Sequence, residues 1–242
     1  IVVLVLAILP ILGVGGMYLY KAESSSPIKD NKLSPRITET AKSLWSVYIL
    51  LTFACAIMYK FAGMNYFDAV GHSFSTVSIG GFSTHNSSIG FYSNDLIKII
   101  CILFMFLSAL NFVLHFLFFK NRLLTTYTAN SEFKTFVSII IILFVLIFIF
   151  SLNGKLESIS NIDIIFQVFS FVTTSGFTTS NYSLWPSFII LLIFLSSFIG
   201  ACAGSAGGGM KVIRLTIALK SIKKQLLRVI HPKAEITIKV NH

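Results

Sequence analysis

Apolar residues gather along this chain into five long runs, at about 1–20, 44–59, 96–119, 136–152 and 184–203, separated by polar stretches. A helix that crosses a bilayer needs roughly 20 residues, within a range of about 17–25. The run 96–119 meets that length outright, 44–59 extends to about 64, and 136–152 is almost wholly Ile, Leu, Val and Phe. The run 184–203 passes into AGSAGGG, which no ordinary helix interior tolerates, because glycine loses the most backbone freedom on ordering. Two further stretches, 66–78 (YFDAVGHSFSTVS) and 161–173 (NIDIIFQVFSFVT), are too short or too polar to span. Each lies between two spanning runs and leads to a Gly-Phe pair, as a short helix does that enters the membrane and returns as extended chain. Irregular backbone at that depth is tolerated only where protein buries it or a watery cavity adjoins it. The pattern predicts an all-α integral membrane protein.

Composition and charge sharpen this reading. Of 242 residues, 55% are hydrophobic and 12% charged, about half the charge of a soluble domain. That excludes an ordinary soluble enzyme and excludes disorder. The formal net charge is +10, and segments 21–42, 120–134 and 211–239 hold 16 of the 19 Lys and Arg. Only Lys60, Lys98 and Lys155 fall in the alternate connections. By the positive-inside rule the first set is cytoplasmic, so the excess is a topology signal and no nucleic-acid partner is expected. The tail 211–239 reads as a basic amphipathic helix on the inner leaflet, or as a docking surface for a cytosolic partner. Cys55, Cys101 and Cys202 lie singly in apolar stretches and read as buried hydrophobes. Ile1 opens directly into an apolar run with no basic segment before it, unlike a signal peptide; the expectation is the interior of a longer chain.

An internal repeat carries the chemistry. At an offset of 95, Gly81-Phe82 falls on Gly176-Phe177, Asp68 on Asp163, Phe74-Ser75 on Phe169-Ser170, Val77 on Val172, Thr84 on Thr179 and Asn86 on Asn181. Eight of the 19 positions from 68 to 86 are identical. A parallel offset of this kind implies pseudo-rotational symmetry about the membrane normal. The repeated loops, VSIGGFST and VTTSGFTT, are small, uncharged and rich in hydroxyls. A desolvated monovalent cation needs a ring of such oxygens in place of its hydration shell, and the short helices would aim their negative ends at it. No Ser/His/Asp constellation, phosphate-binding loop or HExxH motif appears, so an enzyme is not expected.

The segments SFSTVSIGGFSTHNSSIG, TTSGFTTSNYSLWP, IGACAGSAGGGMKVIR and ILPILGVGGMYLYKAE closely resemble the bacterial TrkH potassium-uptake family, within the Trk/Ktr/HKT superfamily of potassium-channel-like transporters. The resemblance implies four M1–pore helix–M2 repeats around one pore. On that plan 1–20 ends the first repeat, 21–42 is a cytoplasmic loop and 43–122 the second repeat. A second cytoplasmic loop covers 123–135, the third repeat 136–210, and a basic cytoplasmic tail, 211–242, leads towards a fourth. Two quarters of a filter do not enclose an ion, so this chain alone is not expected to conduct.

Carried over by position, the filter residues are Ile79, Gly80 and Gly81 with Thr174, Ser175 and Gly176. The carbonyls of Ile79, Gly80, Thr174 and Ser175 are then the ligands of K+, the transported ion, with no covalent cofactor and no transition metal. Glycine at Gly81 and Gly176 favours K+; a Na+ or mixed Na+/K+ relative, or a non-conducting membrane sensor or structural subunit, is the alternative. The family also implies a gate in the stretch that holds Gly200, Gly204, Ser205, Gly207, Gly208 and Gly209; a glycine-rich helix-packing face is the plainer reading. It further implies a homodimer in the bacterial inner membrane and a cytosolic nucleotide-binding regulatory subunit of the TrkA type.

The remaining polar residues have structural readings beside functional ones. Asn111 and His115, inside an apolar run, are functional candidates or make inter-helix hydrogen bonds. His72 is expected to be satisfied by its neighbours, and His85 and Asn86 to cap the loop mouth. Asp68 and Asp163 are expected as N-caps of the short helices, with attraction of cations as the second possibility.

Overall fold

A computed structural model describes residues 37–150 and 160–230. The expected spanning end 1–20, the basic stretch 21–36 and the tail from 231 onward lie outside the described residues. The chain folds into helices α1 (Ile37–Phe61), α2 (Tyr66–Val77), α3 (Asp95–Ala109), α4 (Phe112–Asn121), the single turn α5 (Thr125–Thr128), α6 (Ser131–Phe150), α7 (Asn161–Val172), α8 (Ser187–Ser197) and α9 (Val212–Ile230). Short 3-10 turns at Ser88–Phe91 and Tyr182–Leu184 follow the two repeated loops.

The long apolar helices bury one stripe and expose the rest. On α1, Val47, Leu51, Cys55 and Tyr59 recur every fourth residue and are buried, while Ile49, Leu50, Phe53 and Ile57 are exposed. On α6, Phe136, Ile140 and Ile147 face inward and Ile141, Ile142, Val145 and Ile149 outward. Such outward faces would be a liability in water and are the surface a bilayer solvates. One core joins α1, α2 and α3 through Cys55, Tyr59, Val77, Cys101 and Met105. A second joins α6, α7 and α8 through Phe136, Ile164, Val168, Ile189 and Ile193. All three cysteines are free and buried, as their apolar settings suggested.

The short helices fall where the pattern put them, at Tyr66–Val77 and Asn161–Val172. The run 96–119 does not form one straight span. It breaks between α3 and α4, whose axes turn by 95°. Leu110 is extended there, and Asn111 caps α4 by accepting a 2.9 Å hydrogen bond from Val113 N–H. The run 184–203 is helical only over Ser187–Ser197, and the glycine-rich stretch that follows is irregular. This sets aside the helix-packing reading of those glycines. The helix α1 also begins at Ile37, inside the stretch expected to be loop.

Candidate ion pathway

Each repeated loop is built the same way from its short helix. In the first copy Ser78 N–H bonds Phe74 O, Ile79 N–H bonds Thr76 O and Gly80 N–H bonds Ser75 O; in the second, Thr173, Thr174 and Ser175 bond Phe169, Phe171 and Ser170. The chain then leaves the helix through a left-handed residue at the same place, Ile79 at φ 56° and Thr174 at φ 65°. A β-branched residue pays of order 1–3 kcal/mol to sit there, and both copies do. Two residues on, Gly81 and Gly176 are again left-handed, at φ 70° and 86°.

The two glycines differ in surroundings. A Cβ on Gly81 would lie on the carbonyl oxygen of Ser175, whereas a Cβ on Gly176 would meet nothing within 4 Å. The loops therefore meet at Gly81 and Ser175. They are joined again further out, where Gly90 N–H bonds Thr178 O at 3.0 Å and Thr178 N–H bonds Ser88 Oγ at 3.2 Å.

The loops are strapped to their helices by different groups. In the first copy Asn65, not Asp68, is the N-cap: it accepts from Asp68 N–H at 2.7 Å and donates back to the carboxylate at 2.8 Å. Asp68, three residues in, accepts from Thr84 Oγ1 at 2.6 Å and lies 3.1 Å from His85 Nε2. Burial pushes this carboxyl upward, but hydrogen bonding from Thr84 and His85, with the Tyr92 hydroxyl alongside, holds it at about 2. The same burial, with Asp68 close by, pushes the Tyr92 phenol well above its usual range. The ring of His85 stacks on Phe91 at 3.7 Å. His72 is satisfied as expected, with Nδ1 on Asp68 O and Nε2 on Ser83 Oγ.

The second copy uses mostly neutral straps. Ser170 Oγ donates to Phe177 O at 2.6 Å, and Gln167, the counterpart of His72, donates to Ser180 O at 3.5 Å. Its cap is Ser160, and Asp163 instead pairs with Lys98 of α3 at 2.9 Å.

The glycine-rich stretch closes on itself directly against this region. Gly200, Gly204 and Gly209 adopt φ of 70°, 70° and 72°. Gly208 N–H bonds Thr174 Oγ1 at 2.8 Å, and a Cβ on Gly207 would meet Ile79 Cδ1 at 3.5 Å and Thr173 O at 3.1 Å. Ser205 Oγ donates to Cys202 O, and the Lys211 ammonium donates to Gly207 O. On its other side the stretch fills the break between α3 and α4. Cys202 N–H bonds Ala109 O at 3.0 Å, Ala206 N–H bonds Ser108 O at 3.1 Å, and Phe112 N–H bonds Gly204 O at 3.0 Å. These are the backbone groups that the broken helix leaves without internal partners.

Of three further polar participants around the break, sequence reasoning singled out Asn111 and His115 and missed Glu132. Asn111 is neither free nor inter-helical: it caps the break and abuts Gly204. His115 makes the expected inter-helix hydrogen bonds, from α4 to Leu107 O of α3 at 2.8 Å and to the Tyr127 hydroxyl of α5 at 2.7 Å. Glu132, at the start of α6, accepts from Ala203 N–H at 2.7 Å and Ile213 N–H at 3.2 Å. A lone acid opening an apolar run reads as a helix-start residue, so nothing in its local sequence pointed to a loop 71 residues away.

Comparison with known proteins agrees over the full length. The model of the TrkH cation transport protein family matches residues 1–242. The chain is 48% identical to the Trk system potassium uptake protein TrkH of Halomonas elongata over 244 residues, covering 99% of this chain and 50% of that one. It is 48% identical to TrkH of Escherichia coli K12 over 247 residues (100% and 51%), and 38% identical to TrkG of the same strain over 247 residues (99% and 50%). The crystal structure of the potassium transporter TrkH from Vibrio parahaemolyticus superposes with a TM-score of 0.82 at 43% identity, over 99% of this chain and 49% of that chain. The chain thus spans about half the length of the relatives it matches. Helices long and apolar enough to cross a bilayer, an all-α fold and this match over every residue make it a multi-pass membrane protein. The chain belongs to the TrkH cation transport protein family.

Proposed function

We propose that residues 79–81 and 174–176 form two sides of a K+-selective constriction, and that the stretch Gly200–Gly209 gates the path beneath it. One observation carries the reading: both loops leave their short helices through the same three hydrogen bonds and the same two left-handed residues. Two segments with different side chains share that costly backbone, which suits a role for main-chain oxygens rather than side chains. In this reading the carbonyls of Ile79, Gly80, Thr174 and Ser175 replace water around the ion. The negative ends of α2 and α7 favour the cation without the tight hold of a carboxylate. The hydrogen bond from Gly208 to Thr174 supports a gate that lies against this constriction. Potassium as the ion rests on the relatives named as potassium uptake proteins. On the family plan, residues 43–122 and 136–210 are the second and third pore repeats of a homodimer in the inner membrane. A cytosolic nucleotide-binding subunit docks on the basic segments.

Relative K+ and Na+ permeability of the full-length protein tests the constriction. Gly81→Ser is expected to lower K+ preference at least tenfold, and an unchanged ratio would sink the assignment. Deleting Gly204–Gly209 is expected to raise closed-state K+ flux; unchanged flux would overturn the gating assignment.

A further inference from the structure

The glycine-rich stretch is flexible by composition, yet one side chain holds it at Ala203, within the stretch, and at Ile213, just past its end. Glu132 is only 4% exposed. Its Oε1 takes the N–H of Ala203, just before Gly204, and the N–H of Ile213, just beyond the loop. The acceptor stands on the rigid helix α6, while both donors belong to the glycine-rich segment and the first turn of α9. A buried carboxylate is tolerated only while its charge is compensated, and these two amides supply that compensation together with the Lys211 ammonium nearby. Moving either foot of the loop strips a charge-assisted bond from an almost wholly buried acid.

We propose that Glu132 is a positioning residue that clamps the glycine-rich stretch closed, so that opening the loop requires breaking its two backbone bonds. The inference rests on the gating role proposed above, and it adds the residue that sets the resting position of the gate. The effect of Glu132 on conduction passes through the loop.

The buried cysteines provide a readout independent of flux. Cys202 lies in the clamped segment, whereas Cys55 and Cys101 lie in the core of α1 to α3. In the full-length protein, maleimide labelling mapped by mass spectrometry should show Cys202 reacting about tenfold faster in Glu132→Ala, as expected for losing a hydrogen bond to a charged group. Cys55 and Cys101 should stay protected. Glu132→Gln, which keeps the acceptor oxygen without the charge, should fall between. Open probability in single-channel recordings should rise in the same order, with the K+/Na+ permeability ratio unchanged. If Glu132→Ala exposes all three cysteines it has unfolded, and Glu132→Gln decides. Cys202 labelling at the parent rate in the decisive variant overturns the clamp. Faster Cys202 labelling with no change in flux, in a protein whose Gly204–Gly209 deletion also leaves flux unchanged, keeps the clamp and overturns the gate.

Discussion

Asp68 keeps its charge inside the protein because three neighbours hold the ionised form, and this sets a pH window. With the folded value lowered to about 2, the group contributes stability above its unfolded value of about 4 and loses it as pH falls towards 2. Thermal midpoints of the full-length protein should therefore be level through neutral pH and drop below about pH 4. Asp68→Asn should flatten that drop and lower the midpoint at pH 7. The two loop glycines allow a sharper contrast. Gly176→Ala meets only backbone strain and should cost roughly 1 kcal/mol in thermal or denaturant unfolding. Gly81→Ala must also displace the carbonyl of Ser175 and should cost several-fold more. A motif alignment treats these glycines as equivalent; only the facing loop distinguishes them.

At the level of elements, most of the fold was legible in the sequence. The short helices 66–77 and 161–172 were visible because polar residues bound them on both sides and the repeat marks them twice. The break at Leu110 and Asn111 was not, because the residues around it are as apolar as a straight span requires. An Asn caps a helix only where a helix has already ended, and what permits the ending here is a loop some 90 residues later that bonds Ser108, Ala109 and Phe112. Asn111→Ala should accordingly cost about 1 kcal/mol in unfolding. Hydrogen exchange should quicken in α4 and in the glycine-rich loop together while α2 is unaffected. The candidate pathway was legible as far as its glycines and missing in its supports. Glu132, Thr84 and Ser88 act on residues distant in sequence or in the other copy.

Across the whole molecule, the two copies are tied by the Lys98–Asp163 ion pair and, at two further levels, by different chemistry. At one level a serine side chain and a glycine amide reach across to Thr178. At the other, the broken helix and the glycine-rich stretch exchange backbone bonds alone. The backbone ties carry a cost that the fold does not display at rest. When the proposed gate swings aside, the carbonyls of Ser108 and Ala109 and the amide of Phe112 lose their partners at a depth where lipid offers none, at several kcal/mol each. Water is the replacement at hand, so the loop opens only as the cavity fills. Opening then takes up volume in discrete molecules of solvent. Solutes too large to enter should hold the gate shut in proportion to their osmotic pressure, while small permeant ones at the same pressure should not.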